Sequence, residues 1–338
     1  MIQIRSFGKI GEQDIPLITL SDGAAEVELF PYGAAIRSVR VPDRNGVMTD
    51  VCLGYDTPEE YAAQDACFGG IIGRCANRIG GARFSIDGRE YHLTANEGAN
   101  QLHGGIDGFH RKLWEFSTQE NSVTFTLLSP DGDEGFPGNL RVQVTYRLEQ
   151  GTLSIDYIAV SDADTVVNLT NHAYFNLAGH DAGPVDDHEL TVRAGAFTPA
   201  GAGNIPTGEI LPVEGTVLDL RSGAVLGSRL KTSELASTRG YDHNYVLDAG
   251  TEAAARLYCP RTGIGLETYT TLEGMQLYTA GFLTPRPGKN GACYGMNHAV
   301  CLETQHFPDA VNQKHFPTPV VRAGETYCQT TSYRFFTR

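Results

Sequence analysis

Apolar and polar side chains alternate along much of this chain. Between 140 and 148 the sequence LRVQVTYRL puts Leu140, Val142, Val144, Tyr146 and Leu148 on one side, and Arg141, Gln143, Thr145 and Arg147 on the other. A period of two marks a strand with one face buried. Residues 152–160, TLSIDYIAV, repeat it, with Leu153, Ile155 and Tyr157 sharing a face. Glu149-Gln150-Gly151 between the two runs reads as the turn of an antiparallel hairpin. The run 122–128 leads into SPDGDEGFPGN, whose residues favour tight bends and left-handed backbone. Similar short runs recur at Glu189–Val192, 245–247 and 276–279. Helical spacing is scarce. Its best instance is 57–64, TPEEYAAQ, with Thr57 as N-cap, Pro58 in the first helical position and Glu59 and Glu60 in the first turn. No Pro/Ser linker, charge block or internal repeat breaks the pattern. It predicts one all-β domain over 1–338, a large antiparallel β-sandwich with few short helices and an open face able to hold a ligand.

Composition narrows the function more than the fold. A 338-residue chain buries enough surface to fold without disulfides or metal staples. The formal net charge of −14 repels nucleic acid and anionic lipid and suits a neutral ligand. The N-terminus lacks a basic region followed by an apolar stretch, so a cytoplasmic protein without a signal peptide is expected. No run of about 18 apolar residues is present, which excludes a helical membrane span. Seven cysteines, odd in number and without a CxxC pair, are expected to be reduced, most of them as small core residues.

Four segments carry candidate chemistry. Read as a strand, NLTNHAYFNL (168–177) puts Leu169, Asn171, Ala173, Phe175 and Leu177 on one face. Thr170, His172, Tyr174 and Asn176 fall on the other, either a polyol-binding surface or an ordinary solvent-facing side. In HAVCLETQHF (298–307) Glu303 follows an apolar run. A carboxylate there is costly unless paired, and burial raises its pKa as a general base requires. The alternative is a structural pair with an arginine at the sheet edge. In GRCANRI (73–79) and NQLHGG (100–105), Gly104 and Gly105 would let backbone approach a ligand closely. Arg74 and Arg78 near glycines raise the question of phosphate, but no P-loop or Rossmann fingerprint is present. In GYDHNY (240–245), Asp242 and Asn244 are read as ligand groups or as formers of local side-chain turns. The histidines at 103, 110, 172, 243, 298 and 306 are candidate metal ligands together with Glu303. HExxH and paired ligand spacings are absent, and Glu303 and His306 fall on opposite faces of a strand, so no metal is expected.

Taken together, GRCANRI, NQLHGG, NLTNHAYFNL, YDHNYVL (241–247) and CLETQHFPDAVNQKHFP (301–317) resemble the aldose 1-epimerase (galactose mutarotase) family, in family order and at similar spacing. The likeness runs from roughly residue 10 to the C-terminus. It implies a galactose mutarotase-like supersandwich whose concave face binds a free sugar, with no cofactor. It implies an enzyme that interconverts α and β anomers, with Glu303 as base and His172 as acid. Asn77, Arg78, His103, Tyr174, Asp242 and Gln276 are then expected to line the sugar site. The sequence departs from the family after Tyr278, at Ala280-Gly281-Phe282, where the rim of the pocket is expected. A monomer or homodimer with a small-molecule sugar partner is expected. The competing readings are a hexose-6-phosphate 1-epimerase, a glycoside hydrolase or lyase using Asp242 and Glu303, and a sugar-binding module without turnover.

Overall fold

The computed structural model describes residues 1–63 and 65–338. The predicted hairpin is present as strands Leu140–Glu149 and Thr152–Ser161, with Glu149 paired to Thr152. Glu149 is therefore the last strand residue, and the turn itself is Gln150-Gly151, both at positive φ (50° and 72°). Two left-handed residues give the primed turn whose twist matches that of the strands it joins. Leu140, Val142, Val144, Tyr146 and Leu148 are all buried, as the alternation requires. Each contributes roughly 1.5–3 kcal/mol of apolar burial.

This hairpin sits in a nine-stranded sheet. Its order is Glu115–Gln119, Ser122–Ser129, Leu140–Glu149, Thr152–Ser161, Thr326–Thr337, Ile264–Thr270, Ala255–Tyr258, Glu189–Val192 and Ala224–Val225. A five-stranded meander, Ile2–Ile10 through Met48–Asp50, forms a second sheet. A third holds Leu211–Pro212, Ala196–Thr198, Asp242–Val246, Gly274–Tyr278 and Cys301–Gln305. The strand pairs recorded in these three sheets are antiparallel. One buried apolar cluster draws on all three, for example Val27, Val144 and Leu277. The fold is an all-β antiparallel sandwich.

Among the described residues the α-helix is Pro58–Ala63. Thr57 caps it as read: Thr57 N–H donates to Glu60 Oε2 at 2.9 Å and Glu60 N–H to Thr57 Oγ1 at 3.4 Å, a reciprocal capping box. Its expected last residue, Gln64, lies outside the described residues. The seven cysteines are free; five are buried, and Cys293 and Cys328 are exposed.

Candidate active site

Strand pairing gathers residues that are distant in sequence. In the third sheet Asn244 lies opposite Gln276, and Gln276 opposite Glu303. Directly opposed residues of an antiparallel pair share a face. Asp242, two residues before Asn244, shares it too. Gln276 Nε2 donates to Asp242 Oδ1 at 2.6 Å, while Asn244 Nδ2 donates to Thr198 Oγ1 at 3.1 Å. Asp242 and Asn244 are thus strand residues, and their reading as turn-formers is corrected.

The segment 168–177 is only partly a strand. Thr170–Asn171 pairs with Ile71–Ile72. From there the chain runs extended between other segments: His172 N–H donates to Gly70 O (2.9 Å), and Phe175 and Val300 exchange backbone bonds (2.9 and 2.8 Å). Leu169, Ala173, Phe175 and Leu177 enter the core as expected. On the other face only His172 and Tyr174 reach the hollow described below. Asn176 instead donates to Gly183 O and His298 O, a structural bridge rather than a sugar ligand. The His172 ring stacks on Tyr174 with centroids 4.9 Å apart and planes 13° from parallel, and Phe68 meets Tyr174 edge-on at 4.8 Å. This aromatic column fixes the plane of the imidazole.

His103 comes from the opposite wall. Asn77 N–H donates to His103 Nδ1 at 3.2 Å. Both residues adopt left-handed backbone (φ 59° and 53°). Gly104 and Gly105 do not approach the hollow. A Cβ on Gly104 would stand 1.9 Å from Gly73 O and one on Gly105 2.1 Å from Glu134 Oε2. Their expected role against a ligand is corrected to packing against neighbouring chain. Arg74 is buried away from the site, donating to Ser129 Oγ, Ser129 O, Pro130 O and Pro137 O. Arg78 lines the hollow with its Nε and Nη2 held by Glu97 at 2.6 and 2.7 Å.

The hollow has a volume of about 240 Å³. Asn77, Arg78, His103, His172, Tyr174, Asp242, Gln276 and Glu303, the eight residues singled out from the sequence, all line it. Glu303 is 2% exposed. The ionisable side chain that faces it is not an arginine: His172 Nε2 lies 3.6 Å from Glu303 Oε1. That distance is too long for a hydrogen bond, so the two groups face each other without locking. Among the described residues Glu303 Oε2, Gln276 Oε1 and His172 Nδ1 are buried polar atoms without a protein partner. Such groups are ordinarily satisfied by something else.

Burial sets the electrostatics. It pushes the Glu303 carboxyl well above the usual range, reinforced by Asp242 and opposed by Arg78. Burial likewise raises Asp242, against Arg78 and the Gln276 hydrogen bond. It pulls His172 down to about 4 and His103 well below 6.5. Burial thus disfavours both charged forms, so in the free protein the proton the pair shares rests on Glu303 and the ion-pair arrangement is the less populated one.

His103, His172 and Glu303 also bring ligand-type atoms within 4.8 Å of one another. The hydrogen bonding at His103 disfavours a metal there. Asn77 N–H occupies Nδ1 and so assigns the ring proton to Nε2, leaving neither nitrogen with a free lone pair. A second group, Asp187, His188 and Cys259, is similarly committed. His188 Nε2 accepts from Leu177 N–H and Nδ1 pairs with Asp187. His306, a candidate ligand beside Glu303, pairs instead with Glu273 at 2.8 Å.

Several lining residues escaped the sequence reading. Tyr278 meets the His172 ring edge-on at 6.3 Å and accepts from Phe282 N–H. Arg286 pairs with Asp65 at the rim, and Phe282 and Leu283 stand beside them. Of Ala280-Gly281-Phe282, expected at the rim, Phe282 lines the hollow, while Ala280 is buried in the core. Two of these misses had a legible signal: Glu97 is a carboxylate in the turn before His103, and Tyr278 follows Gln276 by two on one strand and so shares its face.

An antiparallel β-sandwich with a buried carboxylate and imidazole facing each other at the base of one hollow has the parts that acid–base enzymes use. Comparison with known proteins narrows the class. The sequence profile of aldose 1-epimerases matches residues 16–334. The chain is 43% identical over 334 residues to the galactose mutarotase of Homo sapiens, covering 97% of each. It is 37% identical over 332 residues to the aldose 1-epimerase of Escherichia coli K12, covering 96% of each. A solved aldose epimerase homologue from C. elegans superposes with a TM-score of 0.89 at 33% identity, covering 95% of this chain and 98% of that one. The galactose 1-epimerase of Lactobacillus acidophilus superposes with a TM-score of 0.88 at 26% identity, covering 100% of this chain and 99% of that one. The chain belongs to the aldose 1-epimerase family.

Proposed function

We propose that this protein interconverts the α and β anomers of free aldoses such as galactose and glucose, with Glu303 as base and His172 as acid. The observation that carries the reading is the pair itself, an unlocked carboxylate and imidazole 3.6 Å apart at the base of one hollow. The anomeric hydroxyl oxygen and the ring oxygen of a pyranose both bond to C1, so an acid and a base acting on them must converge in this way.

As carboxylate, Glu303 takes the proton from the C1 hydroxyl while protonated His172 delivers one to the ring oxygen. The bond from C1 to the ring oxygen breaks and C1 becomes an aldehyde. Rotation about C1–C2 presents the other face of the carbonyl. The return step reverses both transfers: the oxygen that left attacks C1, His172 recovers its proton and Glu303 gives its own back. The pair alternates between two arrangements of one proton, so the cycle consumes nothing and needs no cofactor. Each positioned group contributes on the order of 10²- to 10⁴-fold.

The remaining wall orients the sugar. Asp242, held by Gln276, accepts from sugar hydroxyls. Arg78 and the Nε2–H of His103 donate to the ring oxygen or to a neighbouring hydroxyl as charge develops. Asn77 and Tyr174 complete the lining. We read 1–338 as one domain and the protein as a cytoplasmic monomer or homodimer. No helix among the described residues is long and apolar enough to cross a membrane.

Polarimetry of freshly dissolved α-D-galactose and α-D-glucose tests the assignment. Catalytic amounts of protein should bring the rotation to equilibrium far faster than buffer. Binding of galactose without any acceleration would make the protein a sugar-binding module, and release of reducing sugar from a glycoside would make it a hydrolase.

A further inference from the structure

We infer that Glu97 is a positioning residue for the reaction, holding the Arg78 guanidinium in the one orientation that meets the sugar. This inference rests on the mutarotase reading above. An arginine side chain has many rotamers, and it recognises a ligand strongly only when its planar fork is fixed. Here the fork is fixed from one edge. Arg78 Nε donates to Glu97 Oε2 at 2.6 Å and Nη2 to Glu97 Oε1 at 2.7 Å. Both side chains line the hollow, and Arg78 is only 11% exposed. With Nε and one N–H of Nη2 engaged, the donors left to serve a ligand are those of Nη1 and the second N–H of Nη2.

The loop that carries Glu97 is itself held in place. Glu97 and Asn100 exchange backbone hydrogen bonds at 3.1 and 3.0 Å, and Asn100 Oδ1 accepts from Gly81 N–H at 3.0 Å. Asn96 Nδ2 donates to Leu102 O and Gly105 O at 2.9 and 3.0 Å, and Asn96 Oδ1 accepts from Leu102 N–H at 2.7 Å. Leu102 pairs in turn with Arg78 across a short strand ladder. The stretch 96–105 is thus tied to itself and to the backbone of Arg78. It delivers His103 to the hollow directly, and it reaches the hollow a second time through Arg78.

Glu97 also sets how much positive field reaches the reacting groups. Arg78 favours the charged forms of Asp242 and Glu303, while Glu97 opposes it at Asp242. An ion pair that merely joined two loops would stabilise the fold and leave the chemistry alone. A positioning carboxylate acts on turnover, and it acts through Arg78.

A double-mutant cycle separates the two. The variants Glu97→Ala, Arg78→Ala and the double are compared with wild type for kcat and KM on galactose, with melting temperature followed in parallel. We expect Glu97→Ala to lower kcat/KM roughly 10- to 100-fold, the scale of a misplaced catalytic contact. In the Arg78→Ala background the same change should cost less than about twofold. Glu97→Gln, which keeps the shape and one acceptor, serves the same cycle if the alanine variant folds poorly, and it should retain more activity than alanine. A Glu97 variant within about twofold of wild type, or losses that multiply in the double, would overturn the inference. Those outcomes presuppose an active wild type, so they are distinct from failure of the mutarotase reading, in which wild type itself is inert.

Discussion

At the scale of single residues, catalysis turns on one shared proton. The acid limb of kcat/KM reports the loss of the second proton from the Glu303–His172 pair. Burial brings His172 down to about 4, so that limb should lie near pH 4. The alkaline limb reports loss of the remaining proton and should lie well above the ordinary glutamate range, because burial raises Glu303. A pH–rate profile for galactose with its acid limb near 6.5 would mean that His172 titrates as if solvated. The same burial carries a stability cost with a definite sign. An unfolded Glu303 ionises above 4.5 while the folded carboxyl resists, so folding stability falls as pH rises from 4.5 through the folded value. Glu303→Gln cannot ionise. It should therefore melt higher than wild type at pH 8, by a degree or more, and about equally at pH 4. Equal melting at both values would show that the native site charges Glu303 without penalty.

At the scale of elements, what was legible depended on how local its cause is. Alternation at 140–160 dictated the hairpin, because a period-two pattern has one way to bury its apolar side. The Thr57/Glu60 capping box is equally local, and it stood in the sequence. The segment 168–177 was harder. Its hydrophobic side packs as read, but its backbone partners include residues 51, 53, 69–72, 74, 76 and 300, which no local pattern indicates. Arg286 and Asp65 enter the site only through tertiary approach, for the same reason, whereas Tyr278 lies two residues beyond Gln276 on one strand and shares its face. In the HGG motif the histidine reaches the hollow as expected, whereas the glycines, expected to face ligand, face neighbouring chain instead. Gly104 (φ 84°) is the sharpest case. Its Cβ would overlap Gly73 O, so Gly104→Ala should displace the His103 loop, cutting activity at least about tenfold and lowering the melting temperature by several degrees. Gly88→Ala, also at positive φ (84°) but with nothing within 4 Å, is the control and should leave turnover unchanged. If both variants behaved alike, the packing explanation would be wrong.

At the scale of the whole molecule, charge and topology point to a neutral ligand. The net charge is −14, and the two arginines lining the hollow are both spoken for, Arg78 by Glu97 and Arg286 by Asp65. Neither offers the unpaired cation that a phosphate ester would seek. Free glucose should be turned over at least about tenfold more efficiently than glucose 6-phosphate, and a preference for the ester would move the protein to the phosphorylated-sugar epimerases. The sandwich supplies the rest by bringing an edge strand, Cys301–Gln305, against the extended segment that carries His172. Polarimetric turnover of α-D-galactose by wild type, Glu303→Gln and His172→Asn tests that convergence most directly. Losses of at least about a hundredfold are expected in each variant with the fold intact. Near-normal turnover by either folded variant would contradict the shared-proton mechanism.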